Sequence, residues 1–320
     1  MKRGTRSLSE TTPGTPLRIS AIVTTYNRPR QLCNLLEALS RQSLPREHFE
    51  VVIVDDGSPE PVAPLVDGFR QRLQIVLYRQ MNSGPAIGRN TAIALASAAF
   101  VAMTDDDCEP APDWLALLLD ELERSPHAMV GGHTVNGLPE NLYSSVSQMI
   151  VDRVYAAHNA HPRQAGFFTS NNLAVAKAAL QQLGGFDARY RYAGGEDRGL
   201  SDRWRHSGNP MIYLPQARIF HFHNLSFGRF LRQHFNYGRG AIVYHKTRVS
   251  SHAEEAATAR AIVLDWRAWK QEIRARKGRH STISIVLLLV LWQAANAAGY
   301  FWEVIVGGTR LSATDNESSR

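Results

Sequence analysis

Residues Ala99–Pro110 read AFVAMTDDDCEP. Five small or apolar residues, Ala99–Met103, run without a polar break, as a strand buried on both faces requires. Three aspartates, Asp105, Asp106 and Asp107, follow directly. Two earlier stretches repeat the arrangement. Leu17–Thr25 (LRISAIVTT) leads into Tyr26-Asn27-Arg28, and Phe49–Val54 (FEVVIV) leads into Asp55-Asp56-Gly57-Ser58. A further apolar run is Leu73–Tyr78 (LQIVLY). Helical patterns lie between them. Arg30–Arg41 places Leu32, Leu35, Leu36 and Leu39 on one face, and Asp113–Glu123 carries Trp114, Leu115, Leu118, Leu119 and Leu122. Ala86–Ser97 is alanine-rich and follows the Gly84-Pro85 break. This alternation predicts an α/β fold: a mainly parallel, Rossmann-like sheet with helices on both faces. Its polar clusters all fall after strand C-termini, the edge where open α/β sheets bind ligands.

The second half is less regular. Thr169–Val175 reads as a strand, Lys177–Leu183 as a short helix ended by Gly184-Gly185, and Glu196–His206 as a helix with an acidic first turn. Met211–Phe222 reads as two short strands around Pro215, and Ser226–Tyr237 as an aromatic helix. Asn136–Ala165 carries little period apart from a helical pattern over Val146–Val154.

At 320 residues, 44% hydrophobic and 20% charged, the chain has enough apolar surface to exclude wholesale disorder. Its two cysteines, Cys33 and Cys108, exclude a disulfide scaffold and a four-cysteine zinc site. A net charge of +7 raises the question of an anionic partner. The excess gathers at Lys270–His280 (KQEIRARKGRH), just before the apolar Ile283–Val306 (ISIVLLLVLWQAANAAGYFWEVIV). A helix of that length reaches roughly 36 Å, enough for a hydrocarbon core of about 30 Å. A basic flank followed by an apolar segment with Trp and Tyr fits a membrane surface better than nucleic acid. Gln293, Asn296 and Glu303 would be costly at bilayer depth. A spanning helix, an interfacial helix and a buried or oligomer-forming helix therefore stay open. The basic flank would put the main domain in the cytoplasm, on the inner face of the membrane, held peripherally or by a single pass. The organisation expected is a disordered tail at 1–16, the α/β domain at 17–245, a basic helical extension at 246–280, the apolar helix at 281–306 and a second loose tail at 307–320.

Adjacent carboxylates repel, so Asp105–Asp107 at a sheet edge call for a cation, Mg²⁺ or Mn²⁺ with oxygen ligands. The competing reading is an acidic helix N-terminus. Glu196-Asp197 follows Gly194-Gly195 and suits either helix-dipole complementation or a general base. His221 and His223 flank Phe222 on an expected strand and so point the same way. Arg89 sits in the first turn of an expected helix, a poor place for a cation unless an anion lies there.

The ordered set VTTYNR (Val23–Arg28), VIVDDGS (Val52–Ser58), NSGPAIGRN (Asn82–Asn90), MTDDDCEP (Met103–Pro110), GGFD (Gly184–Asp187) and GGED (Gly194–Asp197) resembles the family 2 glycosyltransferases, with His221–Gly240 resembling the segment that follows their domain. The resemblance implies a GT-A nucleotide-diphospho-sugar transferase fold with a C-terminal helical extension. It implies a nucleotide-diphosphate sugar donor and a glycan or lipid-linked hydroxyl acceptor. It also implies a divalent metal and inverting transfer, with Asp197 as base. Acceptor contacts fall on Glu196, Asn171 and Asn172. Donor contacts fall on Thr24, Tyr26, Arg28, Asp55, Asp56, Gly84, Arg89, Asp105 and Asp106. Metal contacts fall on Asp107, Asp105 and His221, with His223 as the fallback. No Gln-x-x-Arg-Trp motif follows the base, which implies a non-processive enzyme adding one sugar in cell-surface polysaccharide or glycolipid synthesis. The rivals are a non-catalytic nucleotide-sugar-binding module and another nucleotide-dependent transferase such as a nucleotidyltransferase. The latter would want a Gly-rich phosphate loop with Lys where TTYNRPR stands.

Overall fold

The computed structural model describes residues 16–190, 194–249, 262, 265–276 and 278–317, with side chains up to 306. The N-terminal tail up to residue 15, most of 250–264 within the basic extension, and 318–320 lie outside the described residues.

The N-terminal half follows the apolar runs. Strands β1 (Ile19–Thr25), β2 (Phe49–Asp55), β3 (Ile75–Arg79) and β4 (Phe100–Met103) alternate with α1 (Pro29–Leu39), α2 (Ala63–Asp67) and α3 (Pro85–Leu95). These four strands pair in parallel, with Thr25 beside Asp55 and Ile22 beside Met103. That register brings the loops after β1, β2 and β4 to one edge. Next come the short β5 (Cys108–Pro110), α4 (Trp114–Arg124), β6 (Met129–Asn136), α5 (Leu142–His158), β7 (Leu173–Ala176), α6 (Lys177–Gln182), α7 (Glu196–His206) and β8 (Met211–His221). Three helices end the described chain: α8 (Phe227–Thr247), α9 (Trp266–Ala275) and α10 (Thr282–Glu317).

The sheet order is β3-β2-β1-β4-β7-β6-β8-β5. Among the described residues, four of its seven strand pairs are parallel, as expected, and the sheet is mixed because β7 is antiparallel to both β4 and β6, and β5 is antiparallel to β8. Strand direction comes from the connections, which an apolar pattern does not encode. β7 is also shorter than expected, since Ser170–Asn172 form a 3₁₀ turn before it. β8 is one strand rather than two. Gly132 of β6 pairs with Leu214 but the next residue, His133, pairs with Arg218, so Pro215 lies in a bulge where its missing N–H costs no ladder bond. β6 escaped the sequence reading because Gly131 and Gly132 lack strand propensity. Both glycines are required by close approach: a Cβ on Gly131 would stand 2.2 Å from the Phe168 ring, and one on Gly132 2.0 Å from the Ala217 carbonyl oxygen.

One face of the sheet packs Leu32, Leu35, Leu36, Leu39, Trp114, Leu118 and Leu122 against Val51 and Ile53. The other packs Ile93, Phe186, Leu200 and Trp204 against Val52, Val101 and Val175. A third core joins α5, α8, α9 and α10 through Met149, Phe230, Trp269, Ile285 and Leu288. α10 remains helical past Val306 to Glu317, where a loose tail was expected. No proline interrupts it, and extending a formed helix costs far less than starting one.

Candidate active site

The three aspartates do not face one another across an empty space. Each has its own partner. Asp105 Oδ1 accepts from Arg89 Nη2 at 3.0 Å. Asp106 accepts from Thr25 Oγ1 at 2.8 Å and from Arg28 Nη1 at 2.9 Å. Asp107 accepts from Arg28 Nη1 at 3.1 Å, and its Oδ1 lies 3.1 Å from His221 Nε2. Asp106 is buried and spent on bracing β1 to β4, so the donor contact expected of it is corrected.

Arg89 answers the question its position raised. It is 8% exposed, just past the first turn of α3, and the anions near it are protein carboxylates. Its second nitrogen, Nη1, donates to Glu196 Oε1 at 3.2 Å. One guanidinium thus joins the aspartate triplet to the acidic start of α7. Gly194 and Gly195 shape that start: both have positive φ, 142° and 94°, and the Gly194 N–H donates to Glu196 Oε2 at 2.6 Å. The Ser170 hydroxyl and N–H bear on Asp197 and pull its pKa downward. Its Oδ1 is buried and without a hydrogen-bond partner among the described residues. A buried carboxylate oxygen in that state is an acceptor awaiting a donor.

Asp55 and Asp56 organise the neighbouring loop. Asp55 Oδ1 accepts from the Ser58 N–H at 2.9 Å, and Ser58 Oγ accepts from the Asn27 N–H at 2.9 Å. Asp56 accepts from Gln80 Nε2, the Ser83 N–H and the Gly84 N–H at 2.7, 3.0 and 2.9 Å. Gly84 caps α3 with φ 87°, and Pro85 takes the first helical position. A groove lined by Gly57, Arg79, Gln80, Met81 and Asn82 lies alongside. Thr24 stands at the end of β1 near Gly88, while Tyr26 is exposed.

Asn172 is a second correction. It is fully buried: Oδ1 accepts from Trp114 Nε1 at 2.8 Å, and Nδ2 donates to the carbonyls of His133 and Ala217. It stitches α4, β6 and β8 together and has nothing left for an acceptor sugar. Asn171, next to Ser170, uses Oδ1 for Thr169 and Thr134.

Asp107, Cys108 and His221 bring three ligand atoms within 4.8 Å of one another. The carboxylate and the imidazole suit Mn²⁺ or Mg²⁺. Cys108 does not: burial pushes its thiol well above the ordinary range, so it stays neutral. Asp105, also expected as a metal ligand, gives its Oδ1 to Arg89. His223 lies beyond the end of β8, not on the strand expected for it, and stacks on His221 with centroids 5.0 Å apart. Burial and then the His221 charge push His223 down to about 4.

The electrostatics separate the acids. Burial alone would raise Asp107, but the charge and hydrogen bond of His221, then Arg28, hold it well below the usual carboxylate range. Burial favours the neutral His221 ring, yet Asp107 more than offsets this and raises it. Asp197 moves the other way. Burial and the adjacent Glu196 raise it to about 7, against the lowering pull of Arg89. A carboxylate poised near neutrality, with a free buried oxygen, is equipped to take a proton.

Sequence reasoning missed Thr25, Ser170 and Cys108. Thr25 and Cys108 lie within motifs already singled out, and Ser170 borders Asn171, so adjacency to the chosen residues was the available signal.

The mixed sheet, the acids at its edge and the helical extension define the GT-A class of nucleotide-sugar transferases. A mannosyltransferase from Pyrobaculum calidifontis, solved with GDP-Man and Mn²⁺, shares the fold with a TM-score of 0.63 at 19% identity, covering 93% of this chain and 91% of that one. Residues 20–184 match Glycosyl transferase family 2, and the chain belongs to that family. Among curated relatives, a hyaluronan synthase of Pasteurella multocida is 27% identical over 212 residues, 56% of this chain but only 22% of that one. A glucosyl-dolichyl phosphate glucuronosyltransferase of Haloferax volcanii is 26% identical over 223 residues, 64% of this chain and 69% of that one.

Proposed function

We propose that this chain is an inverting, metal-dependent, non-processive glycosyltransferase that moves one sugar from a nucleotide-diphosphate donor to a hydroxyl acceptor. The observation that carries the reading is Arg89 spanning Asp105 and Glu196, because it puts the donor-side and base-side acids in one crevice. In this reading the Asp55–Asp56 loop, Gly84, Thr24, Tyr26 and Arg28 receive the nucleotide. Asp107 and His221 would hold a divalent cation. When bound, such a cation supplies charge neutralisation for the departing diphosphate. Asp197 Oδ1 accepts the proton of the acceptor hydroxyl as that oxygen attacks the anomeric carbon from the face opposite the leaving group. The anomeric carbon–oxygen bond to the diphosphate breaks in the same displacement, which inverts the configuration. Arg28 and the cation would compete for Asp107, which would leave the Arg28 side chain, 45% exposed, able to meet the diphosphate.

The Haloferax relative's name couples glucuronosyl transfer to a lipid-borne acceptor. That name supports a glycan or lipid-linked acceptor and a role in cell-surface polysaccharide or glycolipid synthesis. The test is a thermal-shift screen of nucleotide sugars with and without Mn²⁺, followed by NMR of the product anomer. A donor that raises the melting temperature only with metal, and a product of inverted configuration, is the expected result. Retention of configuration rules the displacement out.

Arg89 yields a separate prediction. An Asp197 near 7 is protonated below that pH, so kcat should fall about tenfold per pH unit on the acid side and level off above it. Arg89 lowers Asp197. Arg89→Met should therefore move the acid limb to higher pH, whereas Arg89→Lys should move it less. An unshifted limb in Arg89→Met means Arg89 has no hold on the base.

A further inference from the structure

The apolar helix α10 is built inside out. Its packed stripe runs through Ile285, Leu288, Trp292, Asn296, Gly299 and Glu303, and it contains two of the three polar residues that spoke against a membrane. Glu303 Oε2 accepts from Arg239 Nε of α8 at 2.7 Å. Asn296 and Gly299 meet α8 backbone to backbone: a Cβ on Gly238 would lie 2.0 Å from the Asn296 carbonyl oxygen, and one on Gly299 1.9 Å from that of Phe235. The outward stripe is apolar at every large position but one, the exposed Gln293. Ile283, Leu287, Val290, Phe301 and Trp302 are 81%, 57%, 61%, 63% and 52% exposed, with Ala294, Ala297 and Ala298 between them. A helix that turns Asn296 and Glu303 into the protein and a nearly continuous apolar stripe outward is adapted to a nonpolar surrounding.

We propose that α10 lies in the plane of an anionic bilayer, its outward stripe among the acyl chains, as an anchor docked along its length on α8. Two observations select this occupant. First, α9 packs on α10, with the Trp269 and Trp292 rings 6.0 Å apart, and exposes Trp266, Arg267, Lys270 and Arg274 on one face. Aromatic and cationic residues beside an apolar stripe match the headgroup layer of an anionic membrane. Second, α8 runs in parallel with α10 and exposes Arg229, Arg232 and Lys246. A spanning α10 would drag those cations and the Arg239–Glu303 pair into hydrocarbon, at a cost an in-plane helix avoids.

The anchor reaches the site through α8. The same turn that meets α10 at Gly238 and Arg239 meets the Gly194-Gly195 loop at Gly240, where a Cβ would lie 1.8 Å from the Gly194 oxygen. Resting on the transfer reading above, this sets the Asp197 side of the crevice, and hence the acceptor, toward the lipid surface.

The test uses the full chain and needs no activity. In flotation with vesicles of phosphatidylcholine alone or mixed with phosphatidylglycerol, the protein should rise with the mixed vesicles. Leu287→Glu, Val290→Glu and Phe301→Glu, all at exposed positions, should each cut partition about tenfold or more while leaving the melting temperature unchanged. Cysteines placed at Ser281 and Ser312 in a Cys33→Ser background should both react with an impermeant maleimide in sealed inverted membrane vesicles from expressing cells. Reaction at one end only identifies a spanning helix and overturns the proposal. So does failure to float together with a dimer in solution that the three glutamates dissociate, since a second copy then covers the stripe. Loss of transfer with flotation intact counts against the transfer reading alone.

Discussion

Asp197→Asn retains metal-dependent nucleotide-sugar binding and loses transfer by about 10²–10⁴-fold. The substitution preserves the size and shape of the side chain beside Ser170. It removes the one property the proposed step uses, the ability to hold a proton at Oδ1. The loss should therefore appear in kcat and leave KM for the donor nearly unchanged. What activity remains should no longer climb through pH 7, because the group whose ionisation set that limb is gone. Glu196 is not a substitute base: both its oxygens are engaged, by Arg89 and by the Gly194 N–H. Full turnover by Asp197→Asn removes this residue from the mechanism.

Asp107→Ala should abolish the Mn²⁺-dependent thermal shift and lower transfer by about 10²–10³-fold, the usual cost of removing one group that meets developing charge. The fold should persist, since Thr25, Asp106 and Arg28 still tie β1 to β4. His221→Ala should weaken metal dependence without eliminating it, because the carboxylate stays. Isothermal titration with Mn²⁺ and nucleotide separates the two effects. Unaltered metal dependence in Asp107→Ala would falsify the assignment of the cation to the end of β4.

The two acid clusters were legible for different reasons. Asp105–Asp107 follow an uninterrupted apolar strand, so their place at the sheet edge follows from sequence order alone. Glu196-Asp197 were marked by the glycines before them, which allow a backbone that other residues resist. What failed was assigning tasks within a cluster. Asp106 and Asn172 are the same residue types as Asp107 and Asn171, yet they point inward and are consumed by Thr25, Arg28, Trp114 and two carbonyls. Side-chain direction at such positions depends on partners distant in the chain.

The chain's local chemistry determined the alternation of buried strands and helices, the ligand-binding edge and the family, because apolar runs and turn residues act over a few neighbours. Tertiary structure alone decided the reversed direction of β7 and the bridging by Arg89 of acids 16 and 107 positions away. It also decided which face of α10 looks outward. Those outcomes rest on long-range contacts, and a contact between distant segments is a property of the packed whole that no local pattern carries.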